Sequence, residues 1–144
     1  MNILCICTGN ICRSPMLEYL LRNAFEKSGR SDCTVTSAGT ATQTGSPPSL
    51  HAVTAMDEIG IDISAHRSRQ ITTEIVREND AFVVLTPAHG VTLAFQYGAD
   101  PQKIITPGGG IPDPYGQDLD TYRRCRDDMI AALPQLIRDL EKLA

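Results

Sequence analysis

The chain has 144 residues, a net charge of -4, 42% hydrophobic and 21% charged residues, a balance that permits one folded domain with one sizeable core and excludes disordered or collagenous chains. An acidic protein without a basic stripe is not expected to bind nucleic acid, so any anion must be gathered locally by oriented backbone N–H groups and a few arginines. No apolar run reaches the roughly 18 residues of a membrane span, the opening Met1 to Cys7 lacks a basic leading region, and five irregularly spaced cysteines do not resemble a disulfide scaffold, so a cytoplasmic protein with reduced thiols is expected.

Asn2 to Cys7 is a short apolar run, read as a buried strand, and Thr8-Gly9-Asn10 supplies turn chemistry directly after it. Met16, Leu17, Leu20, Leu21, Ala24 and Phe25 recur at helical spacing, with Ser14 as the cap and Gly29 as the stop. A second strand is expected over Cys33 to Ser37, ending at Ala38-Gly39, and a polar loop over Thr40 to Ser49. Helices follow over His51 to Ile59 and Thr72 to Glu78, then a third strand at Ala81 to Leu85. Pro87 to Tyr97 reads as a helix, Lys103 to Thr106 as a fourth strand and Pro107 to Gly116 as a loop. The last helix spans Leu119 to Leu143, with Pro134 expected to kink or split it. Strands alternating with helices predict a doubly wound α/β domain: a four-stranded parallel sheet with helices on both faces.

Cys7-Thr8-Gly9-Asn10-Ile11-Cys12-Arg13-Ser14 places a thiol at a strand end, five residues of loop, and an arginine where a helix begins. A loop of that length can curl so that successive N–H groups point inward, and with the helix dipole they form a concave site for a tetrahedral oxyanion such as phosphate. Arg13 adds a planar fork able to grip two phosphate oxygens. The same positive field favours the nucleophilic thiolate at Cys7. Taken singly, a buried cysteine is ordinary core and an arginine near a helix start ordinary surface; the joint pattern argues for a site.

Ile6-Cys7-x-Gly9-Asn10-x-Cys12-Arg13-Ser14-Pro15 resembles the signature of the low-molecular-weight protein tyrosine phosphatases. Further matches are Ser37-Ala38-Gly39, Gly60-Ile61-Asp62, Ala65-His66-Arg67 and Asp113-Pro114-Tyr115, so the resemblance covers essentially the whole chain. It implies hydrolysis of phosphotyrosine in a protein or peptide through a phosphocysteine at Cys7, with Arg13 binding phosphate and Asp113 as general acid and then base. It implies that Asn10, Ser14, Ser37 and His66 form a hydrogen-bonded network supporting the loop, and that Tyr115, with Ile11, walls the substrate ring. A bland reading of Asp113-Pro114 as a turn, and of Tyr115 as packing under the loop, stands beside these roles. Cys12, in the same loop, is expected as the redox partner of Cys7. Cys5, Cys33 and Cys125 read as apolar fillers, and His51 and His89 have no assigned role.

No metal or other cofactor is expected, because His, Cys and carboxylates do not cluster at ligand spacing. Thiol-based arsenate reductases of similar sequence need further cysteines near the third strand, and residues 80 to 97 contain none. Protein-arginine phosphatases resemble the chain closely but carry threonine where it has Ile11; the bulkier Ile11 favours an aryl phosphate. A silent phosphate-binding module is the remaining alternative, disfavoured by the joint presence of Cys7, Arg13 and Asp113. Two departures from the family pattern stand out: the loop Thr40 to Ser49 has no aromatic residue, and Thr86-Pro87-Ala88-His89 lacks the acidic residue often found after the third strand.

Overall fold

Strand β1 (Asn2–Cys7) lies inside a four-stranded parallel sheet of order β2-β1-β3-β4, with β2 at Thr34–Gly39, β3 at Ala81–Val84 and β4 at Ile104–Ile105. A computed structural model describes residues 1–144. The connecting helices are α1 (Arg13–Lys27), α2 (Leu50–Asp57), α3 (Thr73–Arg77), α4 (Pro87–Tyr97) and α5 (Leu119–Leu143).

Every residue of β1 from Ile3 to Cys7 is buried because the sheet is covered on both sides, which is why the strand reads as a continuous apolar run. Its side chains alternate between two cores. Ile3, Cys5 and Cys7 join Met16, Leu17 and Leu21 of α1, Ala55 and Met56 of α2, and Met129 and Leu140 of α5. Leu4 and Ile6 join Phe82 and Val84 of β3, Val76 of α3 and Leu93 of α4 on the other face. Each such aliphatic side chain contributes about 1.5–3 kcal/mol on burial.

The helix boundaries carry two corrections. Ser14 does not cap α1: the helix starts at Arg13 with Cys12 in the cap position, no side chain caps it, and Ser14 lies fully buried inside its first turn. Pro134 does not split α5, which runs unbroken for 25 residues. Both Pro134 and Ile130, whose carbonyl would have taken the missing N–H, lie on the exposed side, where water can bond the carbonyl. The second strand starts one residue later than expected, at Thr34, and the fourth is shorter, β4 being a two-residue edge.

The chain leaves β1 for β2 on one side and later crosses to β3 on the other. The carboxyl end of β1 is therefore a topological switch point, where an open α/β sheet leaves a crevice for ligand. Cys7 is the last residue of that strand.

Candidate active site

The loop between β1 and α1 is curled by its carbonyls. The oxygens of Cys7, Thr8, Ile11 and Cys12 accept backbone N–H bonds from Thr40, Ala41, Ser49 and Met16, at 2.9–3.3 Å. The Asn10 oxygen accepts His66 Nε2 at 2.8 Å, which places the proton of that ring on Nε2. With the oxygens drawn outward into the protein, the N–H groups of Thr8, Gly9, Ile11 and Cys12 donate to no protein group. The turn needs one left-handed residue, and it is Asn10 at φ 55°, the only non-glycine residue with positive φ. Asparagine tolerates that region better than most residues.

Thr8, Gly9, Ile11 and Cys12 line a cavity of about 330 Å³ together with Cys7, Arg13, Ala41, Thr42, Gln43, Ser46, Asp113 and Tyr115. Arg13 is buried, its Nη1 donating to the Ile111 carbonyl at 2.9 Å, while its Nε is buried without any protein partner. A buried guanidinium N–H left unpaired in the protein, beside free backbone N–H groups at the start of a 15-residue helix, fits a tetrahedral oxyanion in the cavity. Asp113 is at the rim, 51% exposed, its Oδ2 3.6 Å from Arg13 Nη2 and its Oδ1 accepting the Tyr115 N–H at 3.0 Å. Its side chain faces water and Arg13. Tyr115 is 65% exposed and forms part of the cavity wall.

Asn10, Ser14, Ser37 and His66 come together behind the loop. Asn10 Nδ2 donates to Ser14 Oγ at 2.8 Å and to Ser37 Oγ at 2.9 Å, which leaves both hydroxyl protons free to point onward. The Ser14 hydroxyl is 2.9 Å from Cys7 Sγ, and the Asn10 N–H reaches the same sulfur at 3.3 Å. The sulfur thus lies within hydrogen-bond reach of both the Ser14 hydroxyl and the Asn10 N–H. Ser37 donates to Glu18 Oε1 at 2.5 Å, and Glu18 Oε2 pairs with Arg22 at 2.6 Å. Burial pushes the His66 imidazole below its ordinary range, while the Asn10 carbonyl and Glu18 pull the other way.

Sequence reasoning missed Glu18, Tyr122 and His89. Glu18 had a signal: it stands four residues after Ser14 and four before Arg22, the spacing of an acid–base pair on one helical face. The Tyr122 hydroxyl is 3.2 Å from Cys12 Sγ, and burial pushes its pKa up to about 12. Burial also raises the Cys12 thiol.

The sequence matches the family described as low molecular weight phosphotyrosine protein phosphatase over residues 2–144. It is 34% identical to a protein-arginine-phosphatase of Bacillus subtilis (strain 168), over 99% of this chain and 98% of the relative. Among solved structures, a low molecular weight protein tyrosine phosphatase from T. tengcongensis superposes with a TM-score of 0.90 at 34% identity, covering 97% of this chain and 99% of that one. YwlE arginine phosphatase, solved as a C7S mutant with a phosphorylated active site serine, gives 0.90 at 32% identity with full coverage of both chains. With its fold, its phosphate-fitting loop and its full-length match in agreement, the chain belongs to the low molecular weight phosphotyrosine protein phosphatase family and is a cysteine-dependent phosphatase.

Proposed function

We propose that this phosphatase hydrolyses phosphotyrosine in proteins or peptides, with Cys7 as nucleophile, Arg13 as phosphate clamp and Asp113 as general acid and base. Cys7 Sγ attacks phosphorus in line; an S–P bond forms as the P–O bond to the phenol breaks, and the leaving oxygen takes a proton from Asp113. Asp113 then takes a proton from water as that water attacks phosphorus, the S–P bond breaks, and inorganic phosphate leaves. Arg13 and the loop N–H groups stabilise charge on the equatorial oxygens in both steps. The observation that carries the substrate class is the pairing of Ile11 and Tyr115 around the Cys7 cavity, two apolar surfaces suited to an aromatic ring.

A second reading, phosphoarginine, draws support from the polar remainder of the same wall, Thr42, Gln43 and Ser46, and from the activity of the Bacillus relative. Parallel hydrolysis of p-nitrophenyl phosphate, a phosphotyrosine peptide and phosphoarginine separates the two. Wild type is expected to prefer the aryl esters, Cys7→Ser to be inactive, and Asp113→Ala to lose most on the poorest leaving group. Ile11→Thr is expected to raise the phosphoarginine-to-aryl ratio. Preference of wild type for phosphoarginine moves the substrate and keeps the chemistry, and no turnover of any ester overturns the reading.

A further inference from the structure

One buried titratable group beside the cavity takes no part in the steps above. His89, in the first turn of α4, is 6% exposed, and its ring is held between two hydroxyls. Nδ1 lies 2.9 Å from Thr86 Oγ1 and Nε2 lies 2.9 Å from Thr8 Oγ1. Thr86 Oγ1 also accepts the backbone N–H of His89 as the cap of α4. Thr8 directly follows Cys7 and lines the cavity with Arg13 and Asp113.

Pairing within the protein, rather than with water, favours one direction along this chain. A neutral imidazole offers one N–H and one acceptor nitrogen, and a hydroxyl offers one proton and two lone pairs. With the proton on Nδ1, Thr86 Oγ1 accepts twice, its own proton finds no acceptor in the protein, and the Thr8 proton is consumed by Nε2. With the proton on Nε2, Thr86 donates to Nδ1 and His89 donates to Thr8 Oγ1. Every donor along the chain then has a partner within the protein except the Thr8 O–H, which lies exposed at the cavity. The ring is neutral above acid pH, since burial and Arg13, partly opposed by Asp113, hold its pKa at about 4.

We infer that Thr86 and His89 orient the Thr8 hydroxyl as a hydrogen-bond donor to the substrate's phosphoryl group, Thr8 touching substrate and His89 positioning it. The inference rests on the phosphatase reading above, and it gives the exit of β3, which lacks the acidic residue often found there in the family, a role of its own.

The tautomer is measurable on the wild-type protein, without turnover, from the ¹⁵N shifts of the His89 ring. A proton on Nε2 is expected; a proton on Nδ1 overturns the inference. In kinetics with p-nitrophenyl phosphate, Thr8→Val and His89→Leu are each expected to lower kcat/KM about tenfold, the scale of one hydrogen bond to a charged oxygen. Thr8→Ser is expected to recover most of what Thr8→Val loses. The double variant Thr8→Val/His89→Leu is expected to be no worse than Thr8→Val, because His89 acts only through Thr8. Losses that multiply in the double variant, or wild-type kcat/KM in Thr8→Val, overturn it. Failure of the underlying phosphatase reading looks different: wild type itself is then inactive while the tautomer is still read.

Discussion

Asn10 uses every polar group it has. Its N–H faces Cys7 Sγ, its carbonyl takes His66, its side-chain oxygen takes the Arg69 N–H at 2.9 Å, and its amide donates twice. The turn itself was legible, because asparagine is one of few residues tolerated at positive φ; the partners were not, lying as many as 59 positions away. His89 illustrates the same limit and gives a test in pH. Its folded pKa of about 4 lies below the ordinary 6.5, with Arg13 and Asp113 the charged groups acting on it. Between those values the unfolded chain binds a proton that the folded one refuses, so this contribution to stability is whole above about pH 6.5 and is lost as pH falls through about 4. Melting temperature followed from pH 7 to 4 is expected to fall more steeply for wild type than for His89→Gln. Parallel curves would show that the buried ring does not govern acid stability.

At the scale of elements, the end of β2 is built to the loop after β1. A Cβ on Gly39 would stand 2.5 Å from the Thr8 carbonyl and 3.1 Å from Asn10 Cβ, so the loop approaches as closely as it does only against glycine. Ser37-Ala38-Gly39 was noticed in the sequence, but not the reason for the glycine, since nothing local reveals what faces it. Gly39→Ala is expected to cost about 1–3 kcal/mol by overpacking, and to depress kcat more than KM by displacing the loop that holds Cys7. Thermal unfolding and steady-state kinetics on the same variant check it, and an unchanged kcat would mean that the loop yields without consequence. Elements with their own caps were legible to within a residue: Thr72 caps α3 through the Ile75 N–H and Thr86 caps α4. The start of α1 was misplaced because Ser14, a natural cap by type, is turned instead to Cys7 and Asn10.

Over the whole molecule, the two faces of the sheet divide stability from chemistry only partly. The face bearing Cys7 also carries α1, α2 and α5, and Leu140 of α5 is buried there, in the last two turns of that helix. Leu140→Ala is expected to cost about 2–5 kcal/mol of stability through the cavity it leaves, with kcat at 25 °C near wild type. Denaturant unfolding beside kinetics tests this, and a matching loss of kcat would show that α5 also supports the site. By itself the sequence determined the order of strands and helices, the two-sided burial of the sheet and the Cys7 to Ser14 loop. Apolar periodicity and turn chemistry are local properties, written within a few residues. Only the tertiary structure decided that Glu18 anchors Ser37, that Tyr122 meets Cys12 and that His89 turns the hydroxyl of Thr8. Hydrogen bonds between positions 19 to 110 residues apart leave no periodic trace, and each depends on which strand ends the sheet order brings together.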